Sequence, residues 1–367
     1  MGAMLLGLSC IGLLAWANGA NDNFKGVATL FGSGVSDYRR ALWWATGTTF
    51  CGSIVAIWLT AHLVETFSGK LFVSAATLAA PGFALAVCAG CAATVLLATR
   101  IGAPISTTHA LAGSLLGAAF SAPESVIDWS KAGKSIFLPL GVGPVVAIAA
   151  ALLLYPLLTR ARKLLGVSRE TCVCIGEEWV PQAQGAAFAN ISIAVESTAV
   201  CQERYQGALL GISAQKLLDG LHYLSAGMVS FARGVNDTPK IVALTLMLVP
   251  FMSQGAFPAV GVAIAAGGLL GARRVAQTMS KKITKMNPGQ GLTANLITSG
   301  LVMAASPLGL PLSTTHVSCG ALFGIGAATG QAQWKTIGGI LLAWVITLPL
   351  AACLGALLFR AMLLIHH

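Results

Sequence analysis

The 367 residues are 56% hydrophobic and only 9% charged, with a mean hydropathy of +0.80 and a net charge of +10. Soluble globular chains carry about 25% charged residues, so the composition excludes a soluble enzyme, and the same hydropathy excludes disorder. The long apolar runs predict a multi-spanning membrane protein. Because the cations lie in short loops, we interpret the positive charge as a signal for membrane topology and expect no nucleic-acid partner.

The spanning segments are expected to be helices. Residues 41–64 and 292–305 are apolar on all sides, whereas a transmembrane β-barrel alternates apolar and polar residues over segments of about ten. No charge precedes Asp22, which favours a first spanning helix over a cleaved signal. We expect an all-α polytopic protein with about ten to twelve membrane elements, in which 101–120 and 308–328 are full spans or re-entrant pieces.

Two motifs occur twice and in the same order. Residues 19–30 read GANDNFKGVATL, 234–244 read GVNDTPKIVAL, 104–117 read PISTTHALAGSLLG and 311–324 read PLSTTHVSCGALFG. We call the first pair the N-D motifs and the second pair the S-T-T-H motifs. The repetition predicts an N-terminal transmembrane repeat (1–158) and a C-terminal transmembrane repeat (207–367), because transporters often arise by duplication.

Residues 159–206 form the least hydrophobic stretch, which we expect to be a cytoplasmic linker or small insert. Residues 188–200 alternate loosely and predict a short strand or hairpin. Cys172, Cys174 and Cys201 lie in this stretch and could meet in space, although a metal or redox role is weakly supported by spacing alone. Cys88 and Cys91 form a C-x-x-C inside an apolar run, which favours packing thiols.

The loop charges predict that the two repeats have opposite orientations. Arg39 and Arg40 follow the first N-D motif, while the matching place in the second half, 250–258, has no charge. At the next loop along each half the difference is reversed, and the second half carries the cations, from Arg273 to Lys285. By the positive-inside rule, equivalent loops then lie on opposite sides of the membrane, as an inverted-topology repeat requires. We expect the N-terminus outside.

Each N-D motif places polar residues inside an apolar segment. Such residues are costly in a membrane unless they face a protein-lined cavity, so they mark a site. We expect the glycine to break the helix and expose backbone carbonyls, and the Asn and Asp to supply oxygens for a cation or a proton. The alternative is a kinked helix with a capping carboxylate.

Each S-T-T-H motif follows a Gly-x-Pro sequence, which predicts a turn and then a helix start. A helix N-terminus presents free N–H groups and partial positive charge, so two such ends with their hydroxyls would enclose one tetrahedral oxyanion. The alternative is that the hydroxyls only cap the helix and bond to neighbouring helices. His109 and His316 end the motifs and are expected to gate the site or to hold helices together.

An intramembrane hydrolase would need one copy of a nucleophile, a base and an orienting group. Ser106, His109 and Asp22 contain these elements, but duplication favours a symmetric transport pathway. No G-x-x-x-x-G-K-[ST] P-loop is present, so ATP hydrolysis is not expected. We therefore expect no enzyme activity.

The paired motifs resemble those of the inorganic phosphate transporter (PiT) family of phosphate and sulfate permeases. The resemblance implies a secondary transporter of the plasma (inner) membrane that moves phosphate with sodium or protons. It implies that the anion contacts are Ser106, Thr107, Thr108, Ser313, Thr314 and Thr315. It implies that the coupling residues are Asn21, Asp22, Asn236 and Asp237. The expected partners are phosphate and the lipid bilayer, with homo-oligomerisation left open, and no cofactor beyond a bound sodium ion or a transported proton.

The sequence departs from the family's commonest form, G-A-N-D-V-A-N-A, three places after each Asp. Lys25 and Lys240 stand where that form has a second Asn. We expect these ammonium groups to act as built-in cations, which makes proton-coupled or uncoupled transport the hypothesis. Hydrogen phosphate can donate a proton to a carboxylate and sulfate cannot, so phosphate is favoured over sulfate. A sulfate permease, a passive anion channel and an exporter remain alternatives.

Overall fold

The computed structural model describes residues 2–123, 126–168, 170–181, 187–204, 210–249, 252 and 255–366. The protein is predominantly helical, with one small sheet between two helical halves. Within the first half the helices are α1 (Gly2–Asp22), α2 (Ala28–Ser33), α3 (Tyr38–Leu59), α4 (Ala61–Phe67), α5 (Ala75–Leu78), α6 (Phe83–Ile101), α7 (Thr107–Phe120), α8 (Trp129–Ala132) and α9 (Leu138–Leu164). A 3₁₀ turn, Asn23–Val27, follows α1, and a π-helical turn, Gly133–Phe137, joins α8 to α9.

Between the helical halves lies a three-stranded antiparallel sheet with one short helix; it extends beyond the predicted 159–206, to Ser213, and is called the insert below. Its elements are β1 (Thr171–Pro181), β2 (Ala187–Ser197), α10 (Thr198–Arg204) and β3 (Leu210–Ser213). β1 is the central strand, and Cys172 lies opposite Glu196 of β2 and Ser213 of β3. The strand or hairpin predicted over 188–200 corresponds to β2, while 198–200 begin α10.

The second half is again helical. Its elements are α11 (Ala214–Leu248), α12 (Ala256–Gly271), α13 (Arg273–Gln277), α14 (Pro288–Ala305), α15 (Thr314–Thr329) and α16 (Trp334–His366), with a π-helical turn at Thr278–Lys282.

Four segments among the described residues combine the length and the apolar composition of a membrane span: Tyr38–Leu59, Phe83–Ile101, Trp129–Leu164 and Trp334–Ile365. A fifth candidate, Ala256–Gly271 followed by Arg273–Lys282, is bent by 65°. The polytopic membrane character is therefore supported. The number of ten to twelve membrane elements stays a prediction. The helices α1 and α11 are long enough to cross a membrane, but they contain the polar N-D motifs and are not among these candidates.

The helices of the two halves interlock. α1 of the first half packs against α12 of the second, and α11 packs against α3 of the first. In the same way α7 packs against α16, and α15 packs against α9. Each helix that carries a motif is therefore held by a helix of the other half, which brings all four motifs together between the halves.

The glycines of the N-D motifs do not break their helices, which corrects the sequence-based expectation. α1 runs through Gly19, and α11 is continuous through Gly234. A Cβ on Gly19 would lie 1.9 Å from the carbonyl oxygen of Ile264, and a Cβ on Gly234 would lie 2.1 Å from that of Thr49. These glycines are needed because a helix of the other half approaches their backbone, and in the first half the helix changes only after Asp22, to the 3₁₀ turn.

The Gly-x-Pro sequences form the predicted turns before α7 and α15. Gly102 and Gly309 adopt φ values of +73° and +70°, which L-residues with side chains rarely adopt. α7 has 14 residues and α15 has 16, so both are shorter than the roughly 20 residues that a membrane span requires. Two short helices thus start inside the bundle instead of crossing the membrane alone.

Candidate functional site

The charged residues of both N-D motifs, with Arg233 just before the second motif, meet in one buried cluster. Asp22, Lys25, Asp237, Lys240 and Arg233 are each at most 4% exposed. Buried ionisable groups are tolerated only when paired and hydrogen-bonded. The contacts of this cluster therefore define the site.

Lys25 joins the two halves. Its ammonium group forms an ion pair with Asp22 and donates a 2.9 Å hydrogen bond to Oδ1 of Asn21. It also donates to Oγ1 of Thr315 at 2.6 Å and to the carbonyl of Ile105 at 2.7 Å. The ammonium group of Lys25 thus lies between the carboxylate of Asp22, in the same N-D motif, and the hydroxyl of Thr315, in the second S-T-T-H motif.

Lys240 makes the corresponding contacts from the other half. It donates to Oδ1 of Asp237 at 3.2 Å, to Oγ1 of Thr108 at 2.7 Å and to the carbonyl of Leu312 at 3.1 Å. Leu312 and Ile105 hold the same place in the two S-T-T-H motifs. Both lysines therefore connect an N-D motif with the S-T-T-H motif of the opposite half.

The first hydroxyl of each S-T-T-H motif caps its helix, as the sequence predicted. Oγ of Ser106 accepts from the backbone N–H of His109 at 3.1 Å, and Oγ of Ser313 accepts from that of His316 at 3.2 Å. Thr315 donates to the carbonyl of Ile105 at 2.9 Å. The N-termini of α7 and α15 consequently lie side by side, and their positive ends share one region.

The two carboxylates have unequal surroundings. Both oxygens of Asp22 are occupied, because Oδ1 pairs with Lys25 while Oδ2 accepts from Asn18 at 3.1 Å and from Thr107 at 3.0 Å. Oδ1 of Asp237 accepts from Lys240 and from Asn236. Its Oδ2 is buried and has no hydrogen-bond partner within the described part of the chain. Only Asp237 offers a free oxygen.

The asparagines of the N-D motifs hold the turns in front of the short helices. Asn21 donates to Oγ1 of Thr99 at 3.0 Å and to the carbonyl of Ala103 at 3.1 Å. Asn236 donates to the carbonyl of Leu312 at 2.9 Å and accepts from Ser306 at 3.3 Å. Thr99 and Ser306 each precede their capping serine by seven positions. Neither residue lies in a repeated motif, and their shared spacing from the capping serine is the one sequence signal that points to them.

Arg233 is the clearest asymmetry between the halves. It stands four positions before Asp237, where the first half has Asn18 before Asp22. Its guanidinium donates to Asn18 at 3.4 Å and to Asn23 at 3.1 Å, while its Nε is buried without a partner among the described residues. Among the described residues no ion pair joins Arg233 to Asp237, which pairs with Lys240.

The two histidines face each other. The ring centroids of His109 and His316 lie 4.4 Å apart, and those of His316 and Trp344 lie 3.8 Å apart with the rings tilted by 30°. Trp344 also donates to the carbonyl of Pro104 at 3.1 Å. Nδ1 of His109 and both ring nitrogens of His316 are buried without partners within the described ranges. The pair therefore forms a direct contact between α7 and α15.

The comparisons with known proteins identify the family. The model of the phosphate transporter family matches residues 18–355. The chain belongs to this family. The resemblance found in the motifs is thereby confirmed, and the family consists of transporters and not of enzymes.

Individual relatives cover nearly the whole chain. A Rhizobium meliloti (strain 1021) protein described as a low-affinity inorganic phosphate transporter is 28% identical and covers 98% of this chain and 96% of its own. A phosphate permease of Pyrococcus horikoshii is 24% identical over 96% of each chain. A solved structure, the sodium-dependent phosphate transporter, has a TM-score of 0.77 at 21% identity with 100% of both chains covered. This last similarity establishes the shared fold.

Proposed function

We propose that this protein is a secondary active transporter that carries inorganic phosphate across the plasma membrane, with alternating access around the paired motifs. Membership of the phosphate transporter family supports the substrate class. The interlocked halves and the matching contacts of Lys25 and Lys240 support two inverted-topology repeats around a shared site. In this proposal the N-terminus lies outside.

The anion would bind between the N-termini of α7 and α15. The hydroxyls of both S-T-T-H motifs surround that region, and helix N-termini favour oxyanions. Thr315 and Thr108 currently accept from the two lysines. On binding, phosphate oxygens would accept from these ammonium groups and hydroxyls instead, so existing bonds would be exchanged rather than charges left unpaired.

The charges of the cluster favour an anion. Three cationic side chains, Lys25, Lys240 and Arg233, face two carboxylates, Asp22 and Asp237, within the same buried region. One positive charge is therefore left in excess. A dihydrogen phosphate ion neutralises it, and so does a hydrogen phosphate ion accompanied by one proton, because an unbalanced buried charge is costly.

The lysines also decide the coupling ion in this proposal. Each ammonium already occupies a position beside a carboxylate, a backbone carbonyl and a threonine hydroxyl, which are the oxygen ligands that a sodium ion would require. A proton is then the coupling ion, and the free Oδ2 of Asp237 is its acceptor. The observation that carries the proposal is the bond from each lysine to the opposite S-T-T-H motif.

The test is uptake of radiolabelled phosphate into proteoliposomes with imposed proton or sodium gradients. We expect accumulation driven by protons alone in the wild type. Lys25→Asn and Lys240→Asn should change either the rate or the ion dependence of uptake, whereas Lys335→Asn, at an exposed lysine, should not. Strict sodium dependence of the wild type, or unchanged uptake in both motif variants, would refute the role of the lysines.

Two alternatives use the same site. A sulfate permease is tested by adding unlabelled sulfate as a competitor. We expect weak competition, because the free Oδ2 of Asp237, while the carboxylate is ionised, can accept a hydrogen bond from a phosphate hydroxyl, and sulfate has no hydroxyl to donate. A passive channel or exporter is tested by the gradient itself, because only a coupled importer accumulates phosphate against its concentration. Loss of transport on changing either S-T-T-H motif would exclude a hydrolase with one active site.

A further inference from the structure

The insert between the two halves contains a cluster of three cysteines far along the chain from the phosphate-transporter motifs. Cys172 and Cys174 lie two residues apart on β1, so their side chains project from the same face of the strand. Cys201 comes from α10. The three sulfur atoms all lie within 4.8 Å of one another.

The cysteines form the interior of the insert. Cys172, Cys174 and Cys201 are each at most 2% exposed, and the hydrophobic residue packed against them is Ala194. The other face of the sheet carries larger apolar side chains that remain accessible. These are Val173, Ile175, Ile191, Ile193 and Val195, which are 40% to 72% exposed.

This distribution is the reverse of that expected from hydrophobicity alone. In a small sheet the β-branched residues normally face the core, because they bury more apolar area than a thiol does. Here the alternation of β1 and β2 turns the thiols inward instead. Packing as small hydrophobes does not account for that choice, whereas chemistry that needs three thiols in one protected place does.

The structure contains both a disulfide and a thiol at this place. Cys174 and Cys201 are joined as a disulfide with Cα atoms 6.2 Å apart, and Cys172 is free. The positive-inside pattern of the sequence predicts that the insert is cytoplasmic, where thiols are kept reduced. Reduction by a cellular dithiol converts the disulfide into two thiols, and the dithiol becomes the new disulfide. Three thiols then surround one small space.

We propose that the reduced cluster of Cys172, Cys174 and Cys201 binds one thiophilic divalent metal ion, such as Zn²⁺. Binding releases three protons and forms three metal–sulfur bonds, since thiolates are the ligands. Zinc–sulfur bonds of about 2.3 Å in tetrahedral geometry separate two sulfurs by about 3.8 Å. The sulfurs of Cys174 and Cys201, which are bonded to each other here, would move apart to this separation after reduction, within the 4.8 Å that the cluster already spans. No fourth His, Cys or carboxylate joins the cluster among the described residues, so a water would complete the coordination.

Metal binding and disulfide formation then exclude each other. Exchange with a disulfide of another cellular protein or peptide oxidises Cys174 and Cys201 to their disulfide and reduces that partner to two thiols, which removes two of the three ligands and releases the ion. The insert therefore has two chemically defined states, one closed by a disulfide and one closed by a metal ion. The proposal is independent of the transported substrate, because it concerns only the insert.

The test uses the full-length protein, purified in detergent and reduced with a phosphine that is then removed without oxygen. Zn²⁺ is added, excess metal is removed, and the bound zinc is measured by mass spectrometry. We expect about one zinc per chain in the wild type, and at least a tenfold lower affinity in Cys172→Ser and in Cys201→Ser. Cys51→Ser and Cys353→Ser, at exposed cysteines outside the insert, serve as matched controls.

Co²⁺ provides a second readout. Cobalt bound by thiolates gives an ultraviolet charge-transfer band whose intensity increases with the number of sulfur ligands. We expect this band in the wild type and a weaker one in Cys172→Ser, while phosphate uptake and the elution profile show whether that variant is folded. Equal zinc content and equal spectra in the wild type and in both insert variants would overturn the proposal.

The state of the thiols in cells gives an independent criterion. Acid trapping followed by alkylation and mass spectrometry reports whether Cys174 and Cys201 are oxidised. The proposal expects all three thiols reduced in growing cells. If the pair is always a disulfide, and if a dithiol does not reduce it in the folded protein, the cluster is a permanent structural disulfide and the proposal is wrong.

Discussion

Lys25 in the first half of the chain donates a 2.6 Å hydrogen bond to the hydroxyl of Thr315 in the second half, across 290 positions of sequence. Lys240 donates the matching 2.7 Å bond to Thr108. Both lysines are buried, so these bonds join the halves where an unpaired charge would be most costly. Any movement of one half relative to the other must break or exchange them.

The motif glycines provide a direct test of the interlocking. We expect Gly19→Ala and Gly234→Ala to reduce the yield of folded protein sharply, because each new Cβ would lie about 2 Å from a backbone carbonyl oxygen that cannot easily move. The cost should exceed the roughly 1–3 kcal/mol of ordinary overpacking. Fluorescence-detected size-exclusion chromatography measures the outcome.

Gly12→Ala is the matched control for these glycines, since nothing lies within 4 Å of its Cβ position. It should be tolerated or slightly stabilising in the same helix, α1. Normal folding of Gly19→Ala would contradict the close approach of α1 to α12.

The two aspartates should behave differently when changed to asparagine. Asp22→Asn places an amide against three donors, those of Lys25, Asn18 and Thr107, and removes the partner of a buried cation, a loss of about 3–5 kcal/mol. Asp237→Asn should destabilise the protein less than Asp22→Asn does. Oδ2 of Asp237 already lacks a donor, so an amide NH₂ group in its place would face no competing donor. Thermal unfolding in detergent compares the two variants.

Asp237→Asn should instead abolish the dependence of uptake on the proton gradient and weaken the preference for phosphate over sulfate. Uptake at several imposed proton gradients, with sulfate as competitor, measures both effects. If neither aspartate variant alters the preference, selectivity does not depend on these carboxylates.

The serines cap α7 and α15, and in the proposed mechanism they also contact the anion; substitutions can separate these two roles. Ser106→Ala and Ser313→Ala remove the acceptors for the N–H groups of His109 and His316, which should cost about 1 kcal/mol of stability each. Glycine at the same positions should cost only a few tenths of a kcal/mol. Ser106→Gly should therefore fold nearly as well as wild type.

If the hydroxyl also contacts the anion, Ser106→Gly should still lose phosphate affinity, seen as a higher KM. Ser130→Ala, at an exposed serine, is the control. Wild-type uptake by Ser106→Gly and Ser313→Gly would restrict both serines to capping.

Arg233 supplies the excess positive charge of the cluster. Arg233→Gln keeps an amide near Asn18 and Asn23 but removes that charge, so we expect the KM for phosphate to rise at least tenfold. Arg233→Lys should recover part of the affinity, and Arg360→Gln, at an exposed arginine, should have no effect. An unchanged KM in Arg233→Gln would show that its charge does not contribute to anion binding.

Much of the site was predictable because its residues recur in the sequence. The serines were expected to cap the helices that follow Gly102 and Gly309, and they do. A turn of this kind depends on local residues, whose backbone preferences are visible in the sequence. The helix breaks expected at Gly19 and Gly234 were wrong, because the need for glycine comes from a neighbouring helix that the local sequence does not contain.

The sequence by itself determined the membrane character, the duplication, the family and the chemical groups of the site, since composition and motifs are properties of the chain alone. Only the tertiary structure decided which groups meet. It joined each lysine to the opposite half, left one oxygen of Asp237 free while filling both of Asp22, and gathered three cysteines of the insert. The physical reason is that ion pairing and burial depend on distances of a few ångströms between residues far apart in sequence, and only packing sets those distances.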